Sequence, residues 1–184
     1  NCDLDSLFDL ASLTKPLVTG TLAAMAVEKK IIELACPIKT FFPQFPANEV
    51  TLIHLLEHTS GLPDWIALHA HFHDESSLGE FSPATSSQLA RQYYEEEIIK
   101  SWNAANFEKT AVYSDLGFML LGWALEIATG LSLDCLFQEW VVQTTELFSL
   151  QFLPVSPNVI PTENCLWRGH VLRGEVHDDN CFVL

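Results

Sequence analysis

Ser12-Leu13-Thr14-Lys15 places a hydroxyl and an amine three residues apart. On a helix, positions i and i+3 share a face, so the lysine amine can reach the serine oxygen. A serine hydroxyl is a poor nucleophile until a neighbour takes its proton. An amine does this only when partly neutral, a state that burial promotes. The first turn of a helix adds free N–H groups and a partial positive charge, which favour an oxyanion there. The chemistry on offer is acyl transfer through a serine ester. At average residue usage about one such tetrad arises by chance in a chain this long, so the tetrad alone also reads as an ordinary helix start.

A second cluster, His69-Ala70-His71-Phe72-His73-Asp74, alternates imidazole with other residues and ends on a carboxylate. These are good zinc ligands, and a zinc-binding hydrolase through His69, His71 and His73 is the minor alternative. The string loosely resembles the H-x-H-x-D-H run of metallo-hydrolases with its last two residues exchanged. No second ligand cluster accompanies it, and a polar solvated loop is the simpler reading. Glu95-Glu96-Glu97 reads as a solvated helix face, and Trp102 and Trp123 as core.

The elements that must carry these residues follow from periodicity. Residues 12–34 read as a mostly apolar helix in which Pro16 is tolerable only near the start. Thr51 caps a short helix to Glu57 that turns Leu52, Leu55 and Leu56 inward. His58 to Pro63 is a turn by its Gly and Pro. Residues 64–87 look like an insertion or lid. Residues 86–101 form an acidic amphipathic helix on Leu89, Tyr93 and Ile98, and 116–129 a strong helix with Gly130 as its left-handed cap. Residues 133–143 form another helix, and little regular structure is legible beyond Phe148.

Composition bounds the function. The 184 residues suit one domain or a large piece of one. With 48% hydrophobic residues and 12 Phe, a core is affordable, while no apolar run reaches the ~18–20 residues of a transmembrane helix. A net charge of −15, from 24 acidic and 9 basic residues, speaks against nucleic acid as a partner. Five widely spaced cysteines are neither a zinc ribbon nor a disulfide framework. They lean the compartment toward the cytoplasm, with the periplasm left open because the chain begins at Asn1 rather than Met. The start on a motif and the finish on Phe182-Val183-Leu184 suggest a chain cut at both ends.

Four segments change the weight of the serine tetrad. Phe8-Asp9-Leu10-Ala11-Ser12-Leu13-Thr14-Lys15, Leu55-Leu56-Glu57-His58-Thr59-Ser60-Gly61-Leu62-Pro63, Tyr113-Ser114-Asp115-Leu116-Gly117 and Gly174-Glu175-Val176-His177-Asp178-Asp179-Asn180 occur in that order. Together they resemble the serine beta-lactamase superfamily, in its branch of class C beta-lactamases, D-alanyl-D-alanine carboxypeptidases and esterases. In the last segment Cys181 replaces the family's Ala. The resemblance implies an α+β, beta-lactamase/transpeptidase-like fold. This chain would be a partial domain over 1–184, mainly the helical region, with N-terminal and C-terminal sheet strands missing.

The resemblance also implies roles. Ser12 would form the acyl-enzyme, Lys15 would assist proton removal, and Tyr113 would pass a proton to the leaving group. Position 115 would bind lysine and substrate carbonyl. His58 reads as a hydrogen-bonded structural histidine, and His177 has no assigned role. The substrate would be a small molecule or peptide carrying an amide, lactam or ester, with no metal or organic cofactor. Two departures bear on activity. Asp115 stands where the family has Asn, and an ionised carboxylate can only accept hydrogen bonds, favours the ammonium of Lys15 and repels a substrate carboxylate. The K-T-G or H-x-G strand, with its second oxyanion donor, is expected beyond Leu184. A weakly active or inactive penicillin-binding-like module is therefore the main alternative to a hydrolase.

Overall fold

The computed structural model describes residues 2–72, 83–154 and 156–184. Three helical pieces laid end to end carry the Ser12 tetrad: a 3-10 turn Ala11–Leu13, a π-helical stretch Lys15–Gly20, and α1, Thr21–Glu28. Pro16 lies near the start of the π stretch, where its missing N–H costs least. The helix stops short of the expected residue 34. Lys30 turns left-handed at φ 58, which leaves Lys29 and Lys30 in water and lets Ile32 enter the core.

The second helix, α2 (Leu52–Leu56), starts from Thr51 as expected. The Thr51 N–H donates to His54 Nδ1 at 3.0 Å, and His54 Nε2 reaches Glu108 at 3.0 Å. Leu52 and Leu55 are buried. The acidic helix α3 spans Pro83–Ser101. Its inner line is Ala90, Tyr94 and Ile98 at a spacing of four, so Ile98 faces inward as expected while Leu89 is exposed and Tyr93 only half-buried.

The centre of the core is α4, Asp115–Thr129. Ser114 caps it by accepting the Gly117 N–H at 3.0 Å, and Gly130 closes it at φ 73. Leu116, Leu120, Leu121, Ala124 and Leu125 are buried there, against α1, α2 and the π stretch. A further helical run follows as α5 (Leu133–Phe137), a π stretch (Gln138–Val142) and α6 (Gln143–Thr145).

The region beyond Phe148 holds more order than its sequence shows. Strands β1 (Asn164–Cys165) and β2 (His170–Val171) form an antiparallel ribbon, and α7 spans Asp179–Val183. Two-residue strands leave no periodicity to read. Buried Arg168 organises this end: its guanidinium donates to the carbonyls of Val176 and His177, pairs with Asp179 at 2.7 Å, and lies 3.8 Å from the Phe182 ring centre. Asn180 then anchors α7 to the body. Its Oδ1 accepts the His69 N–H at 2.9 Å, and its Nδ2 donates to the Ile66 carbonyl at 2.8 Å. No single helix among the described residues is long and apolar enough to cross a membrane.

Asn180 is buried, so removing its amide strands two backbone groups. Asn180→Ala is expected to cost about 2–3 kcal/mol, read as a lower urea midpoint. An unchanged midpoint would show that α7 is held by other contacts.

Candidate active site

The turn that presents Ser12 is set by its neighbours. Ala11 adopts φ 45, a region that non-glycine residues rarely enter, and its N–H donates to Asp9 Oδ1 at 2.7 Å. The Leu13 N–H closes on the Leu10 carbonyl at 2.9 Å. One turn on, Lys15 Nζ donates to Ser12 Oγ at 3.1 Å. The same ammonium meets Asp115 Oδ1 at 2.6 Å and lies 4.9 Å from the ring centre of Tyr113. The Phe118 ring centre is 6.0 Å away. Ser12, Tyr113 and Asp115, the other three residues given site roles by sequence reasoning, are therefore gathered on the Lys15 amine.

Asp115 and Tyr113 reach Lys15 because the start of α4 is fixed to the His58–Pro63 turn. Ser114 Oγ donates to the Pro63 carbonyl at 2.6 Å, and the Asp115 N–H to the Asp64 carbonyl at 2.9 Å. The turn itself requires Gly61: at φ 84, an added Cβ would sit 2.8 Å from the Asn103 carbonyl oxygen. Trp102 Nε1 donates to the Ser60 carbonyl at 2.8 Å, a polar contact beyond the core role expected of it.

The charges are coupled. Burial pulls the Lys15 amine down, but hydrogen bonds to Asp115 and Tyr113, together with their charges, outweigh it and hold the group above its ordinary 10.5. At neutral pH Lys15 is an ammonium that donates to Ser12 and cannot accept its proton. His58 is displaced the other way, below its usual value, by burial and by the Lys15 charge, with Asp115 partly offsetting them. A groove of about 740 Å³ opens over these groups, lined by Ser12, Lys15, His58 and Tyr113 and by apolar Leu13 and Phe118.

Histidine cluster residues serve other partners. His69 is buried, its ring against Asn180 at 3.1 Å and facing Asp179 at 3.8 Å. His71 stacks on Tyr93 at 4.1 Å. His73 and Asp74 lie outside the described residues. Among the described residues no group of three or more His, Cys, Asp or Glu is placed to hold a metal. Sequence reasoning missed the groove position of Phe118 and the strained turn at Ala11. The first carries no motif signal, and the second follows only from Asp9 two residues upstream.

A family profile described as Beta-lactamase matches residues 1–175. Penicillin-binding protein 4* of Bacillus subtilis (strain 168) is 32% identical over 131 residues, which are 70% of this chain and 26% of that protein. N-acetylmuramyl-L-alanine amidase of the same strain is 24% identical over 209 residues, covering 96% of this chain and 44% of that protein. The chain thus spans less than half the length of either curated relative. A solved beta-lactamase/D-alanine carboxypeptidase from Yersinia pestis superposes with a TM-score of 0.66 at 21% identity, over 92% of this chain and 50% of that one.

Because the Lys15 ammonium is favoured in the folded state, its pairing with Asp115 stabilises the protein fully below the ordinary lysine range. That contribution fades as pH rises through the raised folded value. The melting temperature of the native chain should therefore fall more steeply between about pH 10 and pH 12 than that of Asp115→Asn. Parallel curves for the two proteins would contradict the pairing.

Proposed function

The chain belongs to the Beta-lactamase family, and on that premise we propose that Ser12 is the nucleophile of an acyl-transfer site in the protein that carries this chain. The observation that carries the reading is the 3.1 Å contact from Lys15 Nζ to Ser12 Oγ. With Lys15 neutral, its lone pair takes the hydroxyl proton as Oγ bonds to the substrate carbonyl carbon. The leaving-group bond then breaks, and Tyr113, beside the same amine, passes the proton to the departing atom. Water hydrolyses the resulting ester. The Ser12 N–H supplies one oxyanion donor.

Asp115 shapes both rate and substrate. By holding Lys15 as the ammonium it leaves only a small neutral fraction at pH 7, so acylation is slow and accelerates with rising pH. Its negative charge at the groove also disfavours substrates with a carboxylate, such as penicillins and D-alanyl peptides. A neutral ester or amide suits a mostly apolar groove whose lysine is already paired with a carboxylate. The second reading is a penicillin-binding-like module with little turnover, and the same 2.6 Å ion pair favours it.

Fluorescent penicillin and a p-nitrophenyl ester separate these readings. Covalent labelling and ester turnover are expected in the native chain, absent in Ser12→Ala, and faster at pH 9 than at pH 7. Asp115→Asn should raise penicillin labelling, since losing the carboxylate lowers the lysine pKa and leaves more neutral amine. Labelling that survives Ser12→Ala would overturn the nucleophile assignment. Labelling without turnover in both proteins would favour the binding module.

A further inference from the structure

A proton donor to a leaving group must be held still, yet Tyr113 is 53% exposed and sits on an irregular segment just before α4. What restrains it is His58. The Val112 N–H donates to the His58 carbonyl at 2.8 Å, and the Ser114 N–H donates to His58 Nδ1 at 3.0 Å. The two bonds bracket Tyr113 in the chain. The imidazole itself lies against the Tyr113 ring, centre to centre 4.7 Å, and against Phe118 at 5.0 Å. His58 is in turn fixed by its place in the turn: the Glu108 N–H bonds the Thr59 carbonyl at 3.0 Å and the Asn103 N–H bonds that of Gly61 at 3.2 Å.

We infer that His58 is a positioning residue that holds Tyr113 beside Lys15 through its unprotonated Nδ1, and that protonation of the ring releases Tyr113. The inference rests on the reading of Ser12 and Tyr113 as reacting groups. A protonated imidazole carries N–H on both nitrogens and cannot accept the Ser114 N–H. The charged and titratable groups around the ring are Lys15 from the first helix, Asp115 from α4, and Tyr113 itself. Burial and the Lys15 ammonium oppose the proton, while Asp115 attracts it. The ring is therefore an acceptor at neutral pH, and the clamp opens only as pH falls below the ordinary histidine range. His58 also occupies φ 59, which asparagine tolerates well.

Two variants divide the contributions. His58→Asn keeps an acceptor oxygen near the place of Nδ1 but loses the stacked ring; His58→Phe keeps a ring but loses the acceptor. In the 184-residue chain, the Ser114 amide proton resonance is expected to move as pH is lowered from about 8 to about 4, with a midpoint below the usual 6.5. It should stay constant with pH in His58→Asn. Labelling of Ser12 by a fluorophosphonate should slow about tenfold to a hundredfold in His58→Phe and stay within about threefold of native in His58→Asn, as expected for a misplaced reacting group. A Ser114 amide indifferent to the His58 titration overturns the clamp, whatever the labelling shows. Native labelling rates in His58→Phe overturn the positioning role. No labelling in the native chain would count against the Ser12 chemistry instead, and the Ser114 amide would still decide the clamp.

Discussion

The Lys15 ammonium is the constraint around which the described site is arranged. It donates to Ser12 Oγ, sits 2.6 Å from Asp115 and lies over the Tyr113 ring. A half-buried cation needs such partners, because removing it from water without them costs more than any one of the contacts returns. In the proposed chemistry, the amine that would serve as base to Ser12 is charged at neutral pH. Proton transfer from Ser12, on that proposal, would depend on the small fraction of molecules in which the amine is neutral. Asp115 fixes the amine in place and keeps it protonated.

Local folding delivers each partner to that amine. The change from 3-10 turn to π helix at residues 11–20 keeps Lys15 one turn from Ser12 despite Pro16. The Gly61 turn allows the chain at 102–108 to approach closely, and the hydrogen bonds of Ser114 and Asp115 to 63–64 then set where α4 begins. Asp115 is the first residue of that helix, where a carboxylate is also favoured by the helix dipole. The same backbone start therefore places both the charge that holds Lys15 and the phenol beside it.

Much of this was legible in the residues. Ser12, Lys15, Tyr113 and Asp115 were singled out by motifs that resemble those of a known family, and the structure brings the four side chains together. The helix at 115–129 and its Gly130 cap were legible from local pattern: apolar residues at i, i+4 and i+7 with a glycine after them leave few alternatives. The end of the first helix at Glu28 was not legible, because it depends on Ile32 turning into the core. On the inner face of α3, Ala90 and Tyr94 take the places expected of Leu89 and Tyr93 while Ile98 stays inward, a choice set by packing elsewhere in the chain. The C-terminal ribbon and α7 were hidden altogether. They depend on Arg168 and Asn180, polar residues that contact the chain far from their own neighbours.

The most direct test of the central claim follows the Lys15 side chain itself. The carbon-13 shift of Lys15 Cε, recorded against pH in the 184-residue chain, reports when the amine loses its proton. The account predicts a midpoint above 10.5, with the ammonium intact throughout the neutral range. A midpoint below 10.5, giving a substantially neutral amine near neutral pH, would contradict it.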